Sequence, residues 1–98
     1  MRQEGEAKFD WDEANVAHIA RHRVTRSEVE EALSSGPVDL DYDEIGGEPR
    51  WTSVGHTDEF RILLIVWTIR GDACRPITAR LAPKGVRRDY LGFKGFSV

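Results

Sequence analysis

The run RILLIVWTI at residues 61–69 constrains the fold of this chain more than any other stretch. It is the most apolar segment, it is continuous, and it is rich in β-branched residues, the pattern of a central strand buried on both faces. Neighbouring segments read as its partners. VDLDY at 38–42 alternates Val38, Leu40 and Tyr42 with Asp39 and Asp41, as a strand with one wet face does. WTSVG at 51–55 reads as a second strand, and DEIGGEPR at 43–50 as the turn between them. RGD at 70–72 supplies a tight hairpin turn with Gly71, and ACRPITARL at 73–81 returns as the last strand. Pro76 has no N–H to give, so this strand lies at an edge or turns that nitrogen away from its partner.

Upstream, the apolar period is helical. In FDWDEANVAHIARHRV, Asp10 stands as an N-cap with Glu13 three residues on, and the helix is expected to run to about His22, with Trp11, Val16, Ile19 and Ala20 as its inward stripe. Thr25 and Glu28 form a second capping box, with Val24 and Val29 in the two positions of a hydrophobic staple. That helix is expected over Thr25 to Ser35, with Val29, Ala32 and Leu33 inward and Gly36-Pro37 as its stop. PKGVRRDYL reads as a short closing helix with Val86 and Tyr90 inward, and the tail GFKGFSV stays loose unless Phe93 and Phe96 dock. The sum is one α+β domain over residues 1–98, with its core at about 9–91. It has two N-terminal helices, a twisted antiparallel sheet of three or four strands and a short C-terminal helix. The helices are expected on one face, leaving the other open with arginines directed to it.

No stretch approaches the roughly 18 apolar residues that a membrane span needs, and the N-terminus lacks a signal-peptide core, so a cytoplasmic protein is expected. Cys74 is the only cysteine, which leaves no internal disulfide or cysteine zinc cluster and fits a small strand residue. The net charge of −3 hides an asymmetry. Residues 1–60 carry 15 acids against 6 bases, whereas residues 61–98 carry 2 acids against 8 bases. A basic half on a small fold is either a phosphate footprint or a solvated surface.

His18 and His22 in HIARH lie one helical turn apart. The spacing would suit two zinc ligands, but the metalloprotease motif needs a glutamate directly after the first histidine, where Ile19 stands. A third ligand would have to come from His56, an acid or Cys74, and no metal or cofactor is expected. A richer constellation is that of metal-free RNA cleavage. It needs a base for the 2′-hydroxyl, positive charge on the phosphate and an acid for the leaving 5′-oxygen. His22, His56, Arg50, Arg61, Arg75, Arg80 and Tyr90 offer those groups from segments that a flanked meander would bring together.

WDEANVAHIARHRVTRSEVEEAL, RWTSVGHT, RILLIVWTIRGD and RPITARLAPKGVRRDY, taken in order over about 80 of the 98 residues, resemble the BrnT family of bacterial type II toxins. The resemblance implies a RelE-like ribonuclease fold and an endoribonuclease that cleaves mRNA and inhibits translation. It also implies neutralisation by a BrnA-type antitoxin with a ribbon-helix-helix DNA-binding domain. By position it singles out His22, Arg50, Arg61, Arg80, Arg87 and Tyr90. In the full assignment, His22 or His56 carries the proton, Arg61 and Arg80 clamp the phosphate, and Tyr90 orients or donates. Arg50, Arg75, Lys84, Arg87 and Arg88 are expected to hold RNA. A homodimer is left open.

Three departures stand out. Arg23 replaces the glycine usual after the helix-ending histidine, His56 stands where a basic residue is usual, and Val86 replaces a glutamate. The last of these favours an alternative in which the chain is an antitoxin-docking or RNA-binding module with weak or lost catalysis. A zinc-binding regulator built on His18, His22 and His56 is a third reading.

Overall fold

The computed structural model describes residues 8–96. Its first helix, α1 (Glu13–Ala20), is set by a different cap from the expected one. Asp12, not Asp10, accepts from the Asn15 backbone N–H at 3.1 Å, and the Asn15 side chain accepts from the Asp12 N–H at 2.8 Å. Asn15 is buried and spends its side-chain amide on the carbonyls of Asp10 and Pro76, at 3.0 and 2.9 Å. Only a residue placed over the sheet can make that second bond, and this fixes the box at Asp12–Asn15. The helix stops at Ala20, two residues before the expected end. Arg21, His22 and Arg23 form the turn, with Arg23 at φ 61°.

The second helix, α2 (Arg26–Leu33), follows the sequence reading closely. Thr25 caps it with Glu28 as the reciprocal partner, and the staple residues Val24 and Val29 are both buried. Gly36 at φ 79° ends the segment. A Trp11 indole N–H donates to Glu30 at 2.8 Å and ties the chain ahead of α1 to α2.

Four strands follow: β1 (Val38–Ile45), β2 (Glu48–His56), β3 (Ile62–Arg70) and β4 (Ala73–Leu81). They form one antiparallel meander in the order β1-β2-β3-β4. The first hairpin is much tighter than expected, because Gly46 and Gly47 at φ 61° and 82° make a two-residue turn whose twist matches the strands. Strand pairing therefore continues through residues expected to be loop. β4 is an edge strand, one of the two placements that Pro76 allows, although Phe9 bridges to Cys74 and straps the first half of that edge.

Helix α3 (Lys84–Lys94) closes the chain, and its position corrects the expected layering. Ile19, Val24, Val29 and Ala32 from the first two helices pack on Leu63, Ile65 and Ala79. Tyr90 of α3 packs instead with Val54, Ile62 and Ala82, and Val86, Leu91, Leu64 and Phe96 surround them. Residues 62 and 64 alternate with 63 and 65, so the two clusters lie on opposite faces of the sheet. α3 covers part of the face expected to be open, because its inward residues have no room under α1 and α2. There β2 approaches so closely that a Cβ on Gly55 would sit 2.2 Å from the Ala32 carbonyl oxygen.

Candidate functional site

β2 ends at His56, which pairs with Ile62 at the rim of the face that α3 covers. α3 delivers Tyr90 to the same place, and its hydroxyl oxygen lies 2.7 Å from His56 Nδ1. Phe60 stacks on the imidazole at 4.9 Å with only 3° between planes, and Phe96 meets it edge-on at 5.3 Å. The His56 backbone N–H donates to Ser35 Oγ at 3.2 Å, and that hydroxyl donates to the Ala32 carbonyl at 2.7 Å. The ring is thus held on one face by Phe60, with Phe96 packed against both aromatic rings at its edge, and at one nitrogen by Tyr90. Burial pushes the Tyr90 phenol above its ordinary value of 10.0, against a smaller opposing effect of Ser35, so the hydroxyl keeps its proton at neutral pH.

Phe60 reaches this position at φ 62°, a left-handed conformation that a bulky side chain rarely adopts. Its role had no sequence signal, since an aromatic at the end of an acidic loop gives no register. Phe96 was legible only as a tail aromatic that could dock, and it does so, whereas Phe93 remains 75% exposed.

The arginines divide into two groups. Arg80 pairs with Leu64, which pairs with Val54, so it shares the His56 face of the sheet. It is exposed, as is Lys84, and neither makes a side-chain hydrogen bond or ion pair among the described residues. Arg87 donates one guanidinium N–H to the Ala82 carbonyl at 2.9 Å, which sets it against the β4–α3 connection. Arg88 lies beside Asp89 at 3.9 Å, with both side chains mostly exposed. These four residues and the His56–Tyr90 pair occupy the α3 side of the sheet.

The remaining candidates lie elsewhere, with their charge already matched. Arg61 points to α2, where it contacts Glu28 at 2.5 Å and the Arg23 carbonyl at 3.2 Å. Burial works to raise the Glu28 pKa, but hydrogen bonds from Arg61 and from the Thr25 backbone outweigh it and hold the carboxyl below its ordinary value. Arg75, with only 13% of its side chain exposed, spans Asp10 and Asp12 at 3.5 and 3.0 Å and locks β4 to the start of α1. Arg50 pairs with Glu48 at 3.3 Å, and Arg70 approaches the same carboxylate at 3.8 Å. The expectation that all these guanidinium groups meet on one surface is therefore corrected: sequence position carried no information about which acids would claim Arg61 and Arg75.

His22 is exposed in the turn after α1, its ring 6.0 Å from that of His18. His56 is engaged by Tyr90, so the three histidines do not share a site. No group of three or more His, Cys, Asp or Glu is arranged to hold a metal ion among the described residues.

The family model described as "Ribonuclease toxin, BrnT, of type II toxin-antitoxin system" matches residues 11–85. The chain belongs to the BrnT family. No curated protein matches it significantly. The α+β architecture and the family both agree with the sequence reading, and BrnT membership makes the chain one of a family of ribonuclease toxins that pair with an antitoxin. The match runs from α1 through β4 and takes in His22, Arg50, His56, Arg61, Arg75, Arg80 and Lys84. Arg87, Arg88 and Tyr90 lie just beyond it, as does Val86, which packs into the cluster around Tyr90. At another of the three departures, Arg23 itself takes the left-handed conformation, so the turn keeps the shape a glycine would give it. Among the described residues, no helix is long and apolar enough to cross a membrane.

Proposed function

We propose that this chain is a metal-independent endoribonuclease that cleaves mRNA, inhibits translation and is neutralised by a BrnA-type antitoxin. The observation that carries the reading is the His56–Tyr90 contact of 2.7 Å, fixed on the same sheet face as Arg80, which has no side-chain partner among the described residues. In this reading Nδ1–H of His56 points to the Tyr90 oxygen, which leaves the Nε2 lone pair for the proton of a 2′-hydroxyl. The 2′-oxygen attacks phosphorus, the bond to the 5′-oxygen breaks, and the imidazolium returns its proton to that leaving oxygen. The products are a 2′,3′-cyclic phosphate and a 5′-hydroxyl. Arg80 neutralises the charge that builds on the phosphoryl oxygens, and Lys84, Arg87 and Arg88 hold the flanking backbone. We assign the proton to His56 rather than His22 because only His56 has a partner that orients its ring. Tyr90 acts as a positioning residue.

The test is cleavage of RNA by the purified chain, with mass spectrometry of the new 3′ ends. His56→Ala and Arg80→Ala are each expected to slow cleavage on the order of 10²-fold or more. Intact RNA under conditions where a known ribonuclease cuts it, or an Arg80→Ala variant as fast as wild type, overturns the reading. A second reading, a docking module without catalysis, is favoured by Val86, whose side chain serves packing where the resemblance leads one to expect a carboxylate. Expression without a partner separates the two, since an active nuclease arrests growth and a docking module does not.

A further inference from the structure

On the α3 side of the sheet, next to the candidate site, runs an apolar groove of about 330 Å³ between β1 and α3. Val38, Leu40, Val54, Val86 and Phe93 line it, with Tyr90 at its inner end. Leu40 and Phe93 are 49% and 75% exposed, a large apolar area to leave in water. Leu40 is there because of a bulge: Asp39 pairs with Ser53 and Asp41 with Thr52, so Leu40 is the extra residue between them.

The outer rim of the groove carries acids: Asp89 lines it from α3, and the register sets Asp41 opposite Thr52 on β1. At the inner end, the Lys94 ammonium is already engaged by the Gly36 carbonyl at 2.7 Å and the Tyr90 ring at 5.9 Å. At 100° per residue, α3 separates two stripes: Lys84, Arg87 and Arg88 on one side, and Val86, Asp89 and Phe93 on the other. RNA is attracted to the first stripe and repelled by the second. An apolar floor between carboxylates fits a protein segment that carries basic residues on the flanks of an apolar face. A strand added to the edge of β1 would extend the sheet and leave this groove empty, whereas a helix laid across it presents apolar residues at i, i+3 and i+4 to its floor.

We propose that the groove between β1 and α3 is the seat of the antitoxin, filled by an amphipathic helix whose apolar face meets Leu40, Val86 and Phe93 and whose lysines or arginines meet Asp41 and Asp89. This rests on the toxin reading above and names the surface through which the partner acts. A helix seated there covers Tyr90 and crowds the approach to His56, so neutralisation follows from occlusion.

The test measures binding of a purified BrnA-type antitoxin, without RNA, by titration calorimetry. Leu40→Glu with Phe93→Glu alters two exposed side chains and is expected to weaken binding at least 100-fold while RNA cleavage stays unchanged. Asp41→Lys with Asp89→Lys is expected to weaken it at least 10-fold and to remove its salt dependence. Wild-type affinity in either double variant overturns the proposal. So does a parallel loss of RNA cleavage, which would make the groove an RNA surface, or a dimer of the free chain that Leu40→Glu with Phe93→Glu splits, which would make it a self-interface. Catalysis is read separately. A chain that binds the antitoxin here and cuts no RNA ends the nuclease reading alone, and an active nuclease neutralised from another surface ends only the groove.

Discussion

Arg23 holds a left-handed backbone where most side chains clash with their own carbonyl, and its carbonyl oxygen accepts a bond from Arg61. Arg23→Gly relieves the clash and keeps that carbonyl, so it is expected to raise unfolding free energy by roughly 0.5–1 kcal/mol in urea titration. Glu28 carries a pH signature. Its pKa is lowered in the folded chain, so the stability it contributes is fully present above its ordinary value of 4.5 and is lost as pH falls through the lowered one. Melting temperatures of wild type and Glu28→Gln should therefore differ at pH 7 and converge in acid; a constant gap would refute the assignment. The sequence shows Arg23 in a glycine position and Glu28 in a capping box, but not their link to Arg61, which lies 38 and 33 positions away with no local pattern to pair them.

Secondary structure was far more legible than pairing. The Thr25–Glu28 box and the Val24–Val29 staple specify α2 from adjacent residues alone, β1 follows from period two, and β3 follows from its continuous β-branched run. The cap of α1 was misread because two acids precede the helix and the choice between them depends on Asn15 reaching Pro76, a contact 61 positions away in sequence. α2 also shows how little freedom the packing leaves. A methyl group on Gly55 would meet backbone oxygen rather than a movable side chain, so Gly55→Ala must push α2 off β2. The expected loss is about 1–3 kcal/mol by denaturant titration, with a circular dichroism spectrum close to wild type.

At the scale of the whole molecule, the sheet separates its charges by face and by edge. The side on which α3 would pack could not be read from its sequence, since Val86 and Tyr90 are inward on either face. The convergence of His56 with Tyr90 therefore had to come from the fold, although both residues were visible as candidates. Among the arginines, Arg80 offers its charge to solvent and Arg75 spends its charge on Asp10 and Asp12. Arg80→Ala is expected to lower the salt dependence of RNA binding by about one counterion, whereas Arg75→Ala lowers the melting temperature and leaves that slope unchanged. The strap of residues 8–10 along β4 has its own consequence. Its bonds flank Cys74, which donates its N–H to Lys8 and accepts from Asp10, both at 2.9 Å, and burial pushes the thiol up to about 11. At pH 7.5 the thiol therefore stays almost wholly protonated. Alkylation of this lone thiol by iodoacetamide is then expected to follow the fraction of molecules in which the strap has peeled away, and its rate reports how often that edge stands open.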